Sequence, residues 1–350
     1  MGGSRGGPNS VAVESNDLLF VSGLEVEIDS SAGKLRPVDG VDLEVDQGEI
    51  VGIVGESGSG KTLVAHSVLR LTRPPVEIVG GEVRFDGLDV LRMDENALMS
   101  YRGAKVGLVF QSAGSSLNPL MRVGAQIAER LVLHGGMTRR SAHERAIDLL
   151  ARVGIPSPKL RARSYPHEFS GGMAQRVMIA AAIANEPKLL IADEPTTALD
   201  ATTQAQIMEL LVGLSHDLGM SMILITHNLG LVAGVCSRIY VMYAGRVMEE
   251  APVDNIFSRP AHPYTRGLLA AVPRPTTVRG ERLRGIDGLP PDLLTVHQGC
   301  VFFDRCSLAR PDHEIRRPDL VPLHGEPAHK SACWIAEEVV RLPLDDGARV

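Results

Sequence analysis

Three short apolar runs along the chain have the length of strands, and helical patterns lie between them. The runs are Ile50–Val54, residues 189–192 and residues 222–225. Continuous apolar runs of this length are typical of strands that are buried on both faces of a parallel sheet. Residues 62–71 and 138–153 instead place apolar side chains at helical spacing. Strands that alternate with helices predict an α/β fold with a mostly parallel sheet.

Other segments differ from this core. Residues 18–45 consist of short alternating apolar stretches broken by turn residues, which predicts a small N-terminal antiparallel β subdomain. Residues 112–170 contain no clear buried strand, so we expect an inserted helical subdomain there. Residues 238–250 are predicted to form a hairpin that turns at Ala244 and Gly245.

The two ends of the chain differ from the centre in composition and in hydrophobic periodicity. Residues 1–16 are rich in Gly and Ser and are predicted to be a disordered leader. After about residue 257 prolines become frequent and periodicity fades, with Pro273 and Pro275 among them. We therefore expect a main domain at residues 17–257 and a small C-terminal extension at residues 258–350. No internal repeat is visible, which predicts one copy of the main domain.

Composition narrows the class of protein. The chain has 350 residues, of which 44% are hydrophobic, and a formal net charge of −6. This charge argues against a nucleic-acid binder with a broad basic face. No apolar run approaches the roughly 20 residues that a membrane-spanning helix needs. We expect a cytoplasmic protein whose partners supply any spanning helices.

A glycine-rich segment follows the first buried run. It fits the pattern G-x-x-x-x-G-K-[ST], with an apolar strand before it and a helix after it. Backbone N–H groups of such a loop wrap phosphate oxygens, Lys61 adds a cation, and the Thr62 hydroxyl can bind Mg²⁺. The predicted phosphate-binding residues are Gly55, Glu56, Ser57, Gly58, Ser59, Gly60, Lys61 and Thr62.

Two adjacent carboxylates end the second apolar run. Asp193 is a candidate Mg²⁺ ligand, usually through water. Glu194 lies one residue further, where it can polarise the attacking water as a general base. Taken alone, the pair could also be a solvated acidic turn at the end of a strand.

A second glycine turn, Ser170-Gly171-Gly172, leads into a helix and is again an anion-binding arrangement. One nucleotide does not need two such loops in one chain, so the second loop is expected to face the nucleotide of a partner chain. At this point the sequence resembles the ABC ATPase family over roughly residues 17–270. The matching motifs, in order, contain Gln111, Ser170, Gly171, Gly172, Asp200 and His227.

The resemblance implies a P-loop NTPase core and a role for each matched residue. It implies that Gln111 senses Mg²⁺ and the γ-phosphate and links to membrane subunits. It implies that residues 170–172 close on ATP held by the opposite subunit, and that His227 contacts the γ-phosphate. Both acids, the lysine and the histidine are present, so an active ATPase is expected. Lys61, Gln111, Glu194 and His227 are the predicted catalytic residues, and Asp200 is grouped with those that bind nucleotide.

Two positions depart from the family pattern. The family usually has Asp after the switch histidine, whereas this chain has Asn228. The family also usually stacks an aromatic side chain on adenine, whereas the corresponding residue here is Ile28. Adenine is then expected to rest on an aliphatic surface, which leaves selectivity over GTP open.

Several stretches resemble the oligopeptide/dipeptide importer subfamily, among them residues 116–119 and 262–265. The resemblance implies a motor at the cytoplasmic face of the membrane that energises peptide uptake. Its partners would be a second ATPase subunit, more often a paralogue, two transmembrane permease subunits and an extracytoplasmic solute-binding protein. Two alternatives are a motor for nickel or another small solute, and a soluble ABC ATPase without a transport function.

The extension carries a cluster of cysteines. In this subfamily the tail often carries four cysteines that resemble the ligands of a [4Fe–4S] cluster, and Cys300, Cys306 and Cys333 match three of them. His313 stands where the third of the four cysteines would fall, seven residues after Cys306, and His329 and His324 are alternative fourth ligands. Soft thiolates with one imidazole suit either an iron–sulfur cluster or zinc. Free thiols packed in a small subdomain are the third interpretation.

Overall fold

A computed structural model describes residues 17–272, 285–294 and 298–343. The predicted leader, Pro273 and Pro275 lie outside these residues. The strands are β1 Asp17–Ser30, β2 Gly33–Asp46, β3 Ile50–Val54, β4 Val76–Phe85, β5 Leu88–Asp89, β6 Val106–Val109, β7 Leu189–Asp193, β8 Ser221–Thr226, β9 Arg238–Tyr243, β10 Arg246–Pro252, β11 Val321–Leu323 and β12 Glu326–Ser331.

The helices are α1 Lys61–Val68, α2 Glu95–Ser100, α3 Ala113–Ser116, α4 Val123–Leu133, α5 Arg139–Arg152, α6 Pro158–Arg161, α7 Gly171–Ala182, α8 Ala201–Leu218, α9 Leu229–Ala233, α10 Val253–Ser258, α11 Pro263–Ala270 and α12 Ala336–Arg341. In the described ranges the strands form two sheets, in the orders β2-β1-β4-β5 and β11-β12-β10-β9-β3-β8-β7-β6. This arrangement confirms the predicted α/β fold.

The larger sheet has a parallel centre. Strand β3 pairs in parallel with β8 and β9, and β7 pairs in parallel with β8 and β6. Every residue of β3, β7 and β8 is buried, as their continuous apolar runs predict. Because parallel strands end at the same edge, the segments after β3, β6, β7 and β8 are brought to one side of the sheet.

The flanking segments follow their patterns with small differences. The hairpin of β9 and β10 turns at Ala244 and Gly245 as predicted, and residues 112–170 contain helices and no strand. Helix α1 ends at Val68 rather than at residue 71, since Arg70 adopts a left-handed φ of 48°. In α5 the fully buried positions include Ala142 and Ala146, whereas Ile147 is only half-buried.

The extension joins the main sheet, which its proline-rich sequence did not predict. Strand β12 pairs antiparallel with β10, and β11 pairs with β12. Glu249 of β10 is completely buried at this junction. Its carboxylate accepts hydrogen bonds from the backbone N–H groups of Ala261 (2.6 Å) and His262 (3.0 Å), and it lies 2.8 Å from Nε2 of His329.

We expect Glu249→Ala to lower the free energy of unfolding by about 3–5 kcal/mol, because it removes the buried acceptor of two backbone N–H groups and of Nε2 of His329. Chemical denaturation measures this change. The matched control is Glu338→Ala, which removes an exposed ion pair with Arg310 and should cost less than about 1 kcal/mol. Equal losses for the two variants would contradict the structural role of the buried carboxylate.

Candidate active site at the ends of the parallel strands

The predicted phosphate loop connects β3 to α1, with Lys61 as the first helical residue. Two of its glycines have no room for a side chain. Gly55 has φ 153°, and a Cβ there would lie 2.1 Å from the carbonyl oxygen of Met242. Gly60 has φ 98°, and its Cβ would lie 2.3 Å from the carbonyl oxygen of Pro37. The loop therefore passes close to neighbouring backbone, which fixes its path.

The ammonium group of Lys61 is held inside this loop. Its Nζ donates to the carbonyl oxygens of Gly55 (2.9 Å) and Glu56 (2.8 Å) and lies 3.3 Å from Oγ of Ser59. The residue is 5% exposed, and burial lowers the pKa of its amine. All three acceptors are neutral. A polyanion that enters the loop would therefore supply the charge that the buried cation lacks.

A hydroxyl and a carboxylate meet beside the lysine. Oγ1 of Thr62 donates to Oδ1 of Asp193 at 3.2 Å, which joins the start of α1 to the end of β7. Burial raises the pKa of Asp193, and the bond from Thr62 partly offsets that effect. Two hard oxygen donors next to a phosphate loop have the chemistry that Mg²⁺ prefers.

Glu194 receives hydrogen bonds from three directions. Nε2 of Gln111 donates to Oε2 at 3.1 Å, Oγ1 of Thr197 donates to Oε2 at 2.8 Å, and Nδ1 of His227 lies 3.2 Å from Oε1. Because a carboxylate only accepts, Nδ1 of His227 carries the proton. Burial works against the charged form, but the bonds from Thr197 and His227 outweigh it and lower the pKa of Glu194. The group is thus a carboxylate at neutral pH.

The backbone at Glu194 is strained in a way that aims the side chain. Its φ is 46°, a region that side-chain-bearing residues rarely adopt, while its N–H donates to the carbonyl oxygen of Ile225 at 2.9 Å. Strain of this kind is concentrated at functional positions, where the surroundings enforce it. Here the neighbouring strand β8 holds the turn, so the carboxylate projects toward Gln111 and His227.

The residues predicted to face a partner chain, namely residues 170–172 and Asp200, lie at the starts of α7 and α8 and not at the phosphate loop. Oγ of Ser170 caps α7, and the carboxylate of Asp200 caps α8 by accepting from the N–H and the hydroxyl of Thr203. A Cβ on Gly172 would lie 2.6 Å from Cγ2 of Thr203, so these two helix starts touch each other. Within the described part of the chain, no hydrogen bond joins Ser170, Gly171 or Gly172 to the phosphate loop. Their nucleotide-binding role stays a prediction.

The two departures from the family pattern have visible surroundings. Oδ1 of Asn228 accepts from the N–H of Gly230 at 2.9 Å and so caps α9, a bond that the usual Asp could also make. Ile28 is half-buried on β1, where it pairs with Leu35 and Val76. Its contact with adenine stays a prediction.

Sequence reasoning missed three residues that contact the site. Thr197 belongs to the E-P-T-T stretch after β7, and only its hydrogen bond to Glu194 reveals its part. The hydroxyl of Tyr264 accepts from the N–H of Glu56 at 2.9 Å, and Arg305 binds the carboxylate of Glu56. Tyr264 and Arg305 lie more than 200 positions from Glu56 along the chain, so the sequence around the phosphate loop could not indicate these contacts.

The predicted metal ligands of the extension gather around one cavity. Cys300, Cys306, Cys333 and His313 line a space of about 20 Å³. Burial raises the pKa of the Cys333 thiol to about 12 and also raises those of Cys300 and Cys306. Within the described ranges, however, no group of three or more His, Cys, Asp or Glu side chains is arranged to hold a metal ion.

None of the three histidines fits the role of fourth ligand in this arrangement. Nδ1 of His313 accepts from the backbone N–H of Arg310 at 3.2 Å, so in the neutral ring Nε2 carries the proton. A ligand histidine has the opposite pattern, because it donates its second N–H to an acceptor. His329 is bound to Glu249, and His324 is exposed outside the cavity. By donor chemistry, only the three thiols fit a soft metal.

Comparison with known proteins agrees with this geometry. The family model described as ABC transporter matches residues 38–197, and the one described as oligopeptide/dipeptide transporter, C-terminal region, matches residues 248–312. A dimeric post-hydrolysis structure of an ATP-binding cassette bound to ADP and Pi superposes with a TM-score of 0.61 at 29% identity, covering 67% of this chain and 98% of that one.

Two curated relatives match most of the chain. A Sinorhizobium fredii protein named "Probable peptide ABC transporter ATP-binding protein" is 45% identical over 93% of this chain and 97% of its own length. The oligopeptide transport ATP-binding protein OppD of Bacillus subtilis is 47% identical over 83% of this chain and 82% of its own length.

The fold and the site define an ATP-binding cassette, with ATP and Mg²⁺ as the ligands of its class. The chain belongs to the ABC transporter ATP-binding proteins, in their oligopeptide/dipeptide transporter subfamily. Among the described residues, no helix combines the length and the apolar character that a bilayer crossing requires.

We expect Gly55→Ala to weaken ATP binding by at least about tenfold, since the new Cβ forces the loop away from Met242 and tenfold corresponds to only about 1.4 kcal/mol. Titration with a fluorescent ATP analogue measures the affinity. The matched control is Gly213→Ala in α8, where a Cβ meets nothing within 4 Å. Unchanged affinity in Gly55→Ala would show that the close approach does not fix the loop.

Proposed function

We propose that this chain is the ATP-hydrolysing subunit of an importer that energises the uptake of di- and oligopeptides. The observation that carries the proposal is the set of hydrogen bonds that Gln111, Thr197 and His227 make to the carboxylate of Glu194. One carboxylate, held ionised by Thr197 and His227, lies at the same sheet edge as Lys61 and the Thr62–Asp193 pair. A base and a phosphate cradle in that relation suit the attack of water on a γ-phosphate.

Each residue has a definite task in this proposal. Lys61 exchanges the loop's own carbonyl oxygens for phosphate oxygens. Thr62 and Asp193 would hold Mg²⁺, which neutralises charge on the phosphates. Glu194 orients the attacking water and accepts its proton. His227 keeps the carboxylate in place through its Nδ1–H, and its Nε2 would donate to the γ-phosphate when the ring carries both protons. Gln111 connects Mg²⁺ and the base to the segment after β6.

The proposal includes a second ATPase subunit. Ser170 and Gly171 are exposed and lie at the start of α7, whose N-terminal end can meet an anion. Asp200, which caps α8, is also exposed. An exposed anion-binding turn that does not contact its own phosphate loop suits a nucleotide held by a partner. The partner ATPase is proposed to be a paralogue.

Cargo and assembly rest on the relatives. Both curated relatives are named for peptide or oligopeptide transport, and the C-terminal family model carries the same description. We assign this chain the same cargo class, together with two permease subunits, an extracytoplasmic solute-binding protein and a position at the cytoplasmic face of the membrane. A motor for nickel or another small solute is the alternative that uptake measurements must distinguish.

We expect Glu194→Gln to lower ATP turnover by about 10²–10⁴-fold while ATP binding is kept, as loss of a general base requires. Phosphate release by the purified protein gives the turnover. Glu186→Gln is the matched control, because Glu186 is exposed and forms a surface ion pair with Arg145. Undiminished turnover in Glu194→Gln would mean that another group is the base.

The same variant tests the cargo in vesicles that contain the full transporter. Wild-type protein should drive uptake of a labelled tripeptide and not of Ni²⁺, and Glu194→Gln should abolish it. Uptake of Ni²⁺ without peptide would replace the proposed cargo, whereas ATP turnover without any coupled uptake would favour a soluble ATPase.

For the extension we propose, from donor chemistry alone, that a soft metal, as an iron–sulfur cluster or as zinc, would take Cys300, Cys306 and Cys333 as ligands, although no such group among the described residues is arranged to hold a metal ion. Protein purified without oxygen should contain iron and sulfide, with absorbance near about 400 nm, or one zinc. Cys306→Ser should lose the metal, and the matched Cys236→Ser, at a buried cysteine outside the cavity, should keep it. Metal-free wild-type protein would leave the thiols as packing residues.

A further inference from the structure

Every hydrogen-bond donor of the Arg305 side chain, in the extension, has an acceptor. Two of these acceptors belong to the phosphate loop, which lies far from Arg305 in sequence. Its side chain is 5% exposed. Nη1 and Nη2 donate to the two carboxylate oxygens of Glu56 at 2.8 and 3.1 Å. The other N–H groups donate to the hydroxyl of Tyr243 (3.3 Å) and to the carbonyl oxygens of Ile286 (3.1 Å) and Asp287 (3.0 Å). All five donors of the guanidinium group are used.

The acceptor of this fork is the second residue of the phosphate loop. The backbone of Glu56 has two further bonds, from its N–H to the hydroxyl of Tyr264 and from Nζ of Lys61 to its carbonyl oxygen. Arg305 and the phosphate-binding lysine are therefore joined through a single residue. A paired, planar contact of this type fixes orientation as well as distance.

An aromatic cluster supports the contact from the side of the extension. The rings of Tyr243, Tyr264 and Phe302 pack with centroids 4.6 to 5.4 Å apart, and the guanidinium group lies 5.6 Å from the centroid of Tyr243. Hydrogen bonds and ring contacts thus hold Arg305 before any nucleotide arrives. Such preorganisation lowers the cost of ordering a binding loop.

We propose that Arg305 is a positioning residue for ATP, which acts through Glu56 to hold the phosphate loop open for the triphosphate and to keep the Glu56 carboxylate turned away from it. This inference rests on the proposed function and deepens it. Without Arg305 the loop loses its anchor, and an uncompensated negative charge remains beside the phosphates. Both effects weaken ATP binding more than they slow the chemical step.

A double-mutant cycle in the full chain tests the route through Glu56. Arg305→Ala should raise the dissociation constant for a fluorescent ATP analogue by about tenfold, the size expected for loss of a charge-assisted pair. The same change in a Glu56→Ala background should have an effect below about twofold, because its partner is already absent. Equal effects in both backgrounds, or no effect in either, would overturn the proposal.

Three further measurements separate positioning from a general loss of structure. Arg305→Ala should raise the KM for ATP while kcat stays within about twofold. Arg305→Lys should give an intermediate KM, since one ammonium group cannot replace the fork. Arg310→Ala, which breaks an exposed pair in the same extension, should match the wild type. A kcat loss without a change in KM would contradict the positioning role.

Amide hydrogen exchange of nucleotide-free protein provides a readout that does not depend on hydrolysis. Residues 55–60 should exchange faster in Arg305→Ala than in the wild type, while the buried strand β7 should be unchanged. Turnover by the wild-type protein tests the proposed function, whereas this comparison tests the inference by itself. If Arg305→Ala does not fold, Arg305→Lys carries the same comparison. Unchanged exchange in the loop of a folded variant would overturn the proposal.

Discussion

A buried ammonium group surrounded by neutral oxygen atoms is the interaction on which this molecule depends. Lys61 has lost most of its hydration. Its ammonium group donates hydrogen bonds to two carbonyl groups and lies close to one hydroxyl group. In the described residues no carboxylate forms an ion pair with it. A buried cation without a counter-ion is energetically costly, and the phosphates of a bound nucleotide would remove that cost. The parallel sheet determines the surroundings of Lys61. Because β3, β7 and β8 end at the same edge, the start of α1 and the ends of β7 and β8 lie close to this lysine.

The sequence predicts the parts of this arrangement that are local. A glycine-rich turn between a buried strand and a helix has few structural solutions, and so Gly55, Gly60 and Lys61 lie where the pattern places them. The acidic pair at the end of β7 is equally local. What could not be read from the chain is the conformation of Glu194, since its positive φ is enforced by strand β8 and by the bond to Ile225.

The extension shows the opposite case. Its proline-rich sequence does not predict β11 and β12. Both strands are short, and β12 lies between β10 and the edge strand β11, so the pair is stabilised by joining the larger sheet. The three thiols line one cavity, and two of them flank one short turn. The histidine was chosen by spacing alone, and spacing does not reveal that Nδ1 of His313 is occupied by the backbone of Arg310. Ligand chemistry can be read from residue types, whereas tautomers depend on hydrogen-bond partners.

The contact between Arg305 and Glu56 lies next to the thiol cavity because of the order of residues in the extension. Arg305 directly precedes Cys306, and Phe302 both lines the thiol cavity and packs on Tyr243 and Tyr264. One short turn therefore has the thiol cavity on one side and the carboxylate of Glu56 on the other. On the side of Glu56, all five donors of the Arg305 guanidinium group have acceptors, so the position of the turn is fixed there. The extension is thus attached to the cassette at the phosphate loop through the contact between Arg305 and Glu56, and the next residue, Cys306, lines the thiol cavity.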